Sequence, residues 1–476
     1  MHILPKPLEI EHNNSFCSVT DYTDTISNDM EPEEYTLQIA ADGVVSAAGG
    51  SEKAVFYAHK TLEQIEFKYK DKLPTCTIHD KPMFAYRGFM IDCARHYFPI
   101  EDLKKIIDTM SLFKFNIFHW HLTDDQGWRI ESSKYPELNT KASIRKYSNF
   151  GKVNHNQPYG RIYTKAEMIE IVRFCKERYI DVVPEFDVPG HTSAFLHVFP
   201  ELTCQGAAVE VKTRQGIYKD VICPAKNKAY TVVKDILTEL TEIFPYRIYH
   251  IGGDEVPSAH WKNCADCKKK MQEYGIESFP DYHNQFMNKI IEFLSAKGKQ
   301  CIVWNDTMKG NGLDKRAIVQ YWKEHDKGTI QYANAGGKLI LSPFSYYYMD
   351  YDYDITSLRH TYHFNPRLKG LTDTGFQNVL GIETPIWTEY IEDSAQMQQM
   401  LFPRVLAVAC TAWQYNKESY KEFLVSTENA VQMLQKKGMK YMPKERWNYS
   451  RLAMPAGWLK FVFTHYTFDY IKSALK

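Results

Sequence analysis

The chain has 476 residues, enough for two or three domains or for one large barrel with an appendage. Hydrophobic residues make up 44% and charged residues 24%, an ordinary globular mix, and 58 basic residues balance 58 acidic ones. A net charge of zero removes the electrostatic argument for nucleic acid or an anionic membrane as partner, and no apolar run approaches the roughly 18–20 residues that span a bilayer.

Residues 1–82 read as a small α+β domain. Glu34-Tyr35-Thr36-Leu37-Gln38-Ile39 alternates as a strand, Asp42-Gly43 is a turn signal, and Val44-Val45-Ser46-Ala47 resumes the strand pattern. Val55, Tyr57, Ala58, Leu62 and Ile65 then recur at helical spacing. No cluster of reactive side chains falls in this unit, which is expected to be structural, and Asp80-Lys81-Pro82 marks its boundary.

From Phe84 the pattern changes to short apolar runs at 86–91, 116–122, 181–186, 248–252, 300–304, 318–322, 338–342 and 379–383. Several are separated by amphipathic stretches at 103–113, 166–178, 230–243 and 282–294. Strand–helix alternation repeated eight times predicts a parallel (β/α)8 TIM barrel over 83–476, closed by C-terminal helices, so the fold class is α/β with a small α+β domain in front. A doubly wound open sheet is the structural alternative, but the Gly-rich phosphate fingerprint that would make it informative is missing. After Glu389 the pattern is mostly helical, including 417–437, and the late aromatics Trp447, Trp458, Phe461, Phe463 and Tyr466 read as packing.

The fourth run carries the chemistry. Arg247-Ile248-Tyr249-His250-Ile251 reads as a buried strand, Gly252-Gly253 allow a sharp turn and close approach by another group, and Asp254-Glu255 follow at the point where strand gives way to loop. An acidic helix cap accounts for the pair equally well in isolation. The other runs decide between the two. Asp92 to His96 follow the first, and His119-Trp120-His121-Leu122-Thr123-Asp124-Asp125-Gln126-Gly127-Trp128 ends the second. Pro184-Glu185-Phe186-Asp187-Val188-Pro189-Gly190-His191 ends the third; Trp304 and Trp322 end the fifth and sixth; Tyr348-Met349-Asp350 and Trp387-Thr388-Glu389 follow the last two. Reactive and aromatic residues at the C-terminal end of every strand converge on one barrel mouth. An aromatic share of 14%, with nine Trp and 32 Tyr, exceeds what a core alone usually requires; flat aromatic surfaces suit the apolar faces of sugar rings, but also protein partners and plain packing.

The ten cysteines do not suggest a disulfide scaffold in a chain this long. Cys264-x-x-Cys267 lacks an evident second metal-ligating pair, so a local disulfide or free thiols are expected there rather than zinc. Cys204 and Cys223 bracket a polar loop and could close it in an oxidising compartment. His119 and His121, two apart on a strand, share a face and could ligate a metal, but filling the barrel interior or orienting Asp124 fits them better. Met1-His2-Ile3-Leu4-Pro5 has no basic segment leading into an apolar one, so no signal peptide is expected in this chain.

At Arg95-His96, 119–128, 184–191, the His-Ile-Gly-Gly-Asp-Glu of 250–255 and the Trp-Thr-Glu of 387–389, the sequence resembles glycoside hydrolase family 20, the β-N-acetylhexosaminidases. The resemblance covers about 84–420, and the preceding unit also looks like the small domain that often precedes this barrel. It implies exo-acting removal of terminal non-reducing β-linked GlcNAc, with GalNAc or sulfated GlcNAc as further candidates, by a retaining, substrate-assisted mechanism through an oxazolinium intermediate. Neighbours such as Asp254 and Glu255 cannot easily flank a scissile bond about 5–5.5 Å apart as a two-carboxylate retaining mechanism requires, and this agrees. By resemblance Glu255 is the acid/base and Asp254 orients the acetamido N–H. Arg95, Glu389 and Asp350 hold the sugar hydroxyls; Trp304, Trp322 and Trp387 form walls; Tyr348 hydrogen-bonds the acetamido carbonyl; Asp124 and His191 support the acidic pair.

No tryptophan matches a further expected wall between Asp350 and Trp387, and Tyr362 or Phe364 is the candidate substitute. The expected partner is a glycan bearing a terminal N-acetylhexosamine, with no cofactor and no metal. The expected location is periplasmic or secreted, the signal peptide being absent from this chain, with cytoplasmic as the alternative. A metal-dependent barrel hydrolase and a catalytically silent glycan-binding protein are the rival readings.

Overall fold

The structure, a computed structural model, describes residues 1–414, 417–449 and 453–465, with side chains described except at 453 and 462–465. Strands β1 (Glu9–Cys17), β2 (Asp21–Ile26), β3 (Tyr35–Ile39), β4 (Val44–Gly49) and β5 (Leu73–Asp80) form one sheet in the order β1-β5-β3-β4-β2. Helix α1 (Glu52–Tyr69) starts where the Ser51 side chain accepts from the Ala54 N–H, and it buries Ala54, Tyr57, Ala58, Leu62 and Ile65 against Tyr35, Leu37, Ile39, Val45 and Ala47. The alternation of β3 and β4 is legible because one face of each is buried. Strands β1 and β2 are exposed along almost their whole length, so they carry no two-residue hydrophobic period and the sequence pattern does not reveal them.

This sheet is not an island. Trp413 packs in its core and donates its indole N–H to Asp80 Oδ1 at 2.9 Å; Lys114 Nζ donates to the other Asp80 oxygen at 2.9 Å, and Arg87 pairs with Glu33 at 2.7 Å. Lys114 and Arg87 are buried, so each of these links loses its charge partner expensively if cut.

Eight parallel strands close a barrel: β6 (Tyr86–Asp92), β7 (Ile117–His121), β8 (Asp181–Glu185), β9 (Ile248–His250), β10 (Gln300–Trp304), β11 (Ile318–Tyr321), β12 (Lys338–Leu341) and β13 (Val379–Ile386). Each pairs with the next in sequence and β13 returns to β6, so no edge remains. All eight expected runs are present. The expected amphipathic helices are present as α2 (Ile100–Leu112), α3 (Lys165–Lys176), α4 (Asn227–Ile243) and, after two intervening short helices, Phe279–Ala296.

The inside of the barrel is layered. Tyr86, Ile117, Val183, Ile248, Ile302, Ile318 and Ile340 make an apolar layer at the N-terminal end. Two residues further along, the same inward positions carry His119, Glu185, His250 and Gln320, and β13 adds Glu383, all fully buried. His119 lies between Glu383 Oε1 at 2.8 Å and Glu185 Oε2 at 3.1 Å; His250 is 2.8 Å from Glu185, and Gln320 and Tyr86 donate to the two Glu383 oxygens at 2.6 Å each. A buried charge network of this kind is costly unless each group finds a partner. Here the partners come from six different strands, which fixes their register.

The final aromatics are not all packing. Trp447 is buried in the main core, but Phe461, in the helix Ala453–His465, lines the barrel-mouth pocket, with Trp458 packed on Tyr351 beside it at 5.0 Å. The Phe463 side chain and Tyr466 lie outside the described residues. Among the described residues no helix is long and apolar enough to cross a membrane. Of the two alternatives left open for the cysteines, the free-thiol one is found: Cys204, Cys223, Cys264 and Cys267 form no disulfide and are drawn into one cluster.

Candidate active site

Beyond β9 the backbone turns through Gly252 at φ +67° and Gly253 at φ +94°, a region where side chains are disfavoured. A Cβ at 252 would stand 1.6 Å from Asp187 Oδ1, and the Gly253 N–H donates to that same oxygen at 3.1 Å. The group that closely approaches the glycine turn is therefore Asp187, delivered from the end of β8. The turn aims Asp254 and Glu255 into the barrel mouth. The next helix begins only at Ala259, with Ser258 at its cap position, so neither carboxylate caps a helix. Glu255 itself sits at φ +49° and His191 at φ +51°. For non-glycine residues this stores on the order of 1–3 kcal/mol each, strain that collects where geometry serves chemistry.

His191 connects the acidic groups. Its Nδ1 is 3.2 Å from Asp124 Oδ1, while its Nε2 is 3.6 Å from Asp254 Oδ2 and 3.7 Å from Glu255 Oε2. Burial works against an imidazolium here, but the charges of Asp124 and Asp254 outweigh it and hold His191 protonated well above its ordinary range. Asp124 is held below the usual carboxylate range against its own burial by Arg95 and then His191. Burial pushes Glu255 up to about 7; the Asp254 charge adds to the rise and His191 opposes it. Asp254 is also raised, chiefly by burial. Glu255 is thus poised between its neutral and charged forms near pH 7, as a group that both gives and takes a proton requires.

Arg95 spans the opposite side. Its Nε donates to Gln126 Oε1 at 2.8 Å, one terminal nitrogen lies 3.1 Å from Asp92, and the other reaches Asp124 at 2.9 Å and Glu389 at 3.6 Å. The guanidinium also lies 5.1 Å from the centre of the Trp387 ring. Asp350 is pushed up to about 7 by burial and by Glu389. Trp322 and Tyr348 lie near-parallel at 6.1 Å, and Tyr348 and Trp387 stand 6.1 Å apart, making an aromatic enclosure. Trp322 is steadied by donating its indole N–H to Asp306 at 3.0 Å. Two buried oxygens, Asp254 Oδ1 and Asp350 Oδ1, have no hydrogen-bond partner. An unsatisfied buried acceptor is costly. Both belong to residues lining this cavity, where a polar ligand can supply the missing donors.

The structure brings Arg95, Asp124, His191, Asp254, Glu255, Trp322, Tyr348, Asp350, Trp387 and Glu389 to one cavity. Trp304 is placed differently from expectation. It is buried beneath that wall, donating its indole N–H to Glu185 at 3.0 Å and packing between His250 and Trp387. Tyr362 and Phe364 do not replace a missing wall: Tyr362 stacks on Phe423 at 4.2 Å, and Phe364 lines a separate groove with Tyr346 and Arg367. The additional walls come from Ile217, Tyr351, Tyr390 and Phe461. Tyr390 was accessible from its position next to Glu389. Ile217 lies in a polar loop and Phe461 far down the chain, and neither carries a periodic signal. Asp187 stands inside a quoted motif but only its contact with the glycine turn reveals what it does. His121 orients Asp124, its Nε2 3.0 Å from Asp124 Oδ2 and its Nδ1 on Glu185, and His119 faces Glu383 and Glu185 instead.

His191→Asn tests the electrostatic arrangement, since Asn tolerates the left-handed backbone. Removing the cation that opposes the Glu255 shift raises that carboxyl's pKa further. The alkaline limb of kcat/KM that Glu255 sets, expected near pH 7 in the unaltered protein, should therefore move to higher pH, with kcat reduced. An unmoved limb in a pH–rate profile would contradict the coupling.

Residues 84–416 match the model of the glycosyl hydrolase family 20 catalytic domain. The chain is 34% identical over 434 residues to a β-hexosaminidase of Porphyromonas gingivalis, covering 87% of this chain and 55% of that protein, so it spans about half the length of this relative. It superposes with a TM-score of 0.85 at 28% identity on the crystal structure of a β-N-acetylhexosaminidase, covering 94% of this chain and 99% of the other. A structure of an exo β-N-acetylglucosaminidase from Vibrio harveyi with N-acetylglucosamine bound matches at a TM-score of 0.83 and 25% identity, over 94% of this chain and 78% of the other.

Proposed function

Because the chain belongs to glycosyl hydrolase family 20, we propose that it is an exo-acting β-N-acetylhexosaminidase that removes a terminal, non-reducing β-linked N-acetylhexosamine by a retaining, substrate-assisted route. The observation that carries this is the pairing of Glu255, poised near pH 7, with the adjacent Asp254, whose buried Oδ1 lacks a partner in an aromatic-walled pocket.

Glu255 in its neutral form protonates the glycosidic oxygen as the bond to the anomeric carbon breaks. The substrate's own acetamido oxygen attacks that carbon from the other face. Asp254 accepts the acetamido N–H on its free oxygen, which aims the nucleophile and offsets the positive charge that grows on the forming ring. Glu255, now a carboxylate, removes a proton from the incoming water, and the acetamido group is released with overall retention. Arg95, Glu389 and Asp350 present charged partners to the sugar's ring hydroxyls, while Trp322, Tyr348 and Trp387 pack against the ring and the acetamido group.

The test is hydrolysis of an aryl β-N-acetylglucosaminide beside the matching aryl β-glucoside. Fast cleavage of the first with essentially none of the second is expected. Comparable cleavage of both would remove the acetamido group from the mechanism, and cleavage of neither would overturn the assignment.

A further inference from the structure

Four cysteines far apart in the chain meet behind the loop that carries Glu255. Cys204 stands at the start of a long loop and Cys223 near its end; Cys264 and Cys267 flank the first turn of the helix Ala265–Glu273. Their sulfurs all lie within 4.8 Å of one another. Cys267 Sγ is 3.4 Å from Cys223 Sγ and 3.8 Å from Cys204 Sγ. A disulfide would draw each sulfur to one partner at about 2.0 Å. One sulfur with two neighbours at similar distances is instead the arrangement of a tetrahedron: four sulfurs about 2.3 Å from a central zinc stand about 3.8 Å from each other.

The surroundings agree. Cys223, Cys264 and Cys267 are buried and Cys204 is partly buried, in a small apolar cluster with Val221, Trp261, Met271 and Tyr282. The hydroxyl of the buried Tyr282 faces the Cys267 thiol. A metal-bound thiolate accepts hydrogen bonds from just such outer donors. Cys264 and Cys267 also flank a helix N-terminus, where the peptide dipoles favour thiolate over thiol.

We propose that Cys204, Cys223, Cys264 and Cys267 bind one zinc ion as a closed tetrathiolate site. Each thiol gives its proton to solvent as the ion binds, so the site holds tightest at neutral to alkaline pH. With four protein ligands no position is left for substrate, and the ion is structural. It cross-links the loop that delivers Ile217 to the pocket with the segment directly after Glu255, holding both walls of the acidic pair from outside.

The test uses the full chain, purified without metal-affinity resin. Metal content is measured by inductively coupled plasma mass spectrometry, and thiol state by alkylation in denaturant followed by peptide mapping. About one zinc per chain and four alkylated cysteines are expected. Protein free of zinc, or a map showing any of these four in a disulfide, would overturn the site. Cys223→Ser and Cys264→Ser are expected to lose zinc, whereas Cys301→Ser, buried elsewhere, keeps it; retained zinc in the first two would also overturn it. Since a change at a buried thiol can block folding, the unaltered protein is also depleted by chelation and reloaded with cobalt(II). The expected readout is the sulfur-to-cobalt charge-transfer and ligand-field bands of a tetrahedral tetrathiolate, with hydrogen exchange in 204–223 and 256–264 rising on depletion and falling on reloading. Absence of the bands, or exchange indifferent to metal, would contradict the proposal.

Discussion

Glu255→Gln is expected to lower kcat on a poor leaving group, such as an alkyl β-N-acetylglucosaminide, by about 10³-fold, within the ~10²–10⁴ that a positioned proton donor contributes. The amide keeps the shape of the side chain, so KM should change little. The loss should depend on the leaving group. A dinitrophenoxide leaves without protonation, so its glycoside should lose far less in the first step, and a burst of product ahead of slow turnover should follow because the base of the second step is also gone. The share of the alkaline limb that Glu255 sets, expected near pH 7, should disappear with that carboxyl: the raised pKa keeps Glu255 neutral below about 7 and strips the acid from the enzyme above it. Turnover of the alkyl substrate within a few-fold of the parent would refute the assignment, as would an unchanged alkaline limb.

Asp254→Asn is expected to cost about 10²–10³-fold in kcat/KM on N-acetyl substrates, the scale seen when one preorganised electrostatic partner of a transition state is removed. The side chain is almost isosteric, but the buried oxygen that awaits a donor now belongs to a neutral amide. Two effects add. The acetamido N–H loses a charged acceptor, so the group is aimed less well. The positive charge that develops as the ring closes also loses its nearest anion. The effect should fall mainly on kcat, because that charge is absent in the ground state. Substrates whose acetamido group is made less nucleophilic by fluorination slow the parent enzyme progressively, and the variant should show a flatter dependence. Equal rates in parent and variant across that series would remove Asp254 from the mechanism. The variant also separates the two acidic neighbours, since Glu255→Gln changes leaving-group dependence and Asp254→Asn changes dependence on the acetamido group.

The sequence by itself determined the barrel. Each of its strands is buried on both faces and reads as a short apolar run, and the intervening helices show a 3.6-residue stripe, so both periods survive in one dimension. It also determined that the chemistry lies at the C-terminal strand ends, because Asp254, Glu255, Asp124, His191 and Glu389 all follow apolar runs, and the quoted motifs carry family information. Exposure erased β1 and β2, whose polar faces leave no period.

Relations between distant residues were decided only by the tertiary structure. The glycine pair required a close neighbour, but that neighbour is Asp187, 66 residues away. Trp304 and Trp322 both stand at a strand end, yet the Glu185 acceptor holds Trp304 beneath the pocket. Phe461 enters the wall from the last described helix. Cys264-x-x-Cys267 looked like half a site because its other half, Cys204 and Cys223, lies about 40 to 60 residues upstream. The physical reason is common to all four. Local pattern records which face of an element meets the core, whereas a site depends on which elements closure of the barrel brings together, and loop length hides that from any window along the chain.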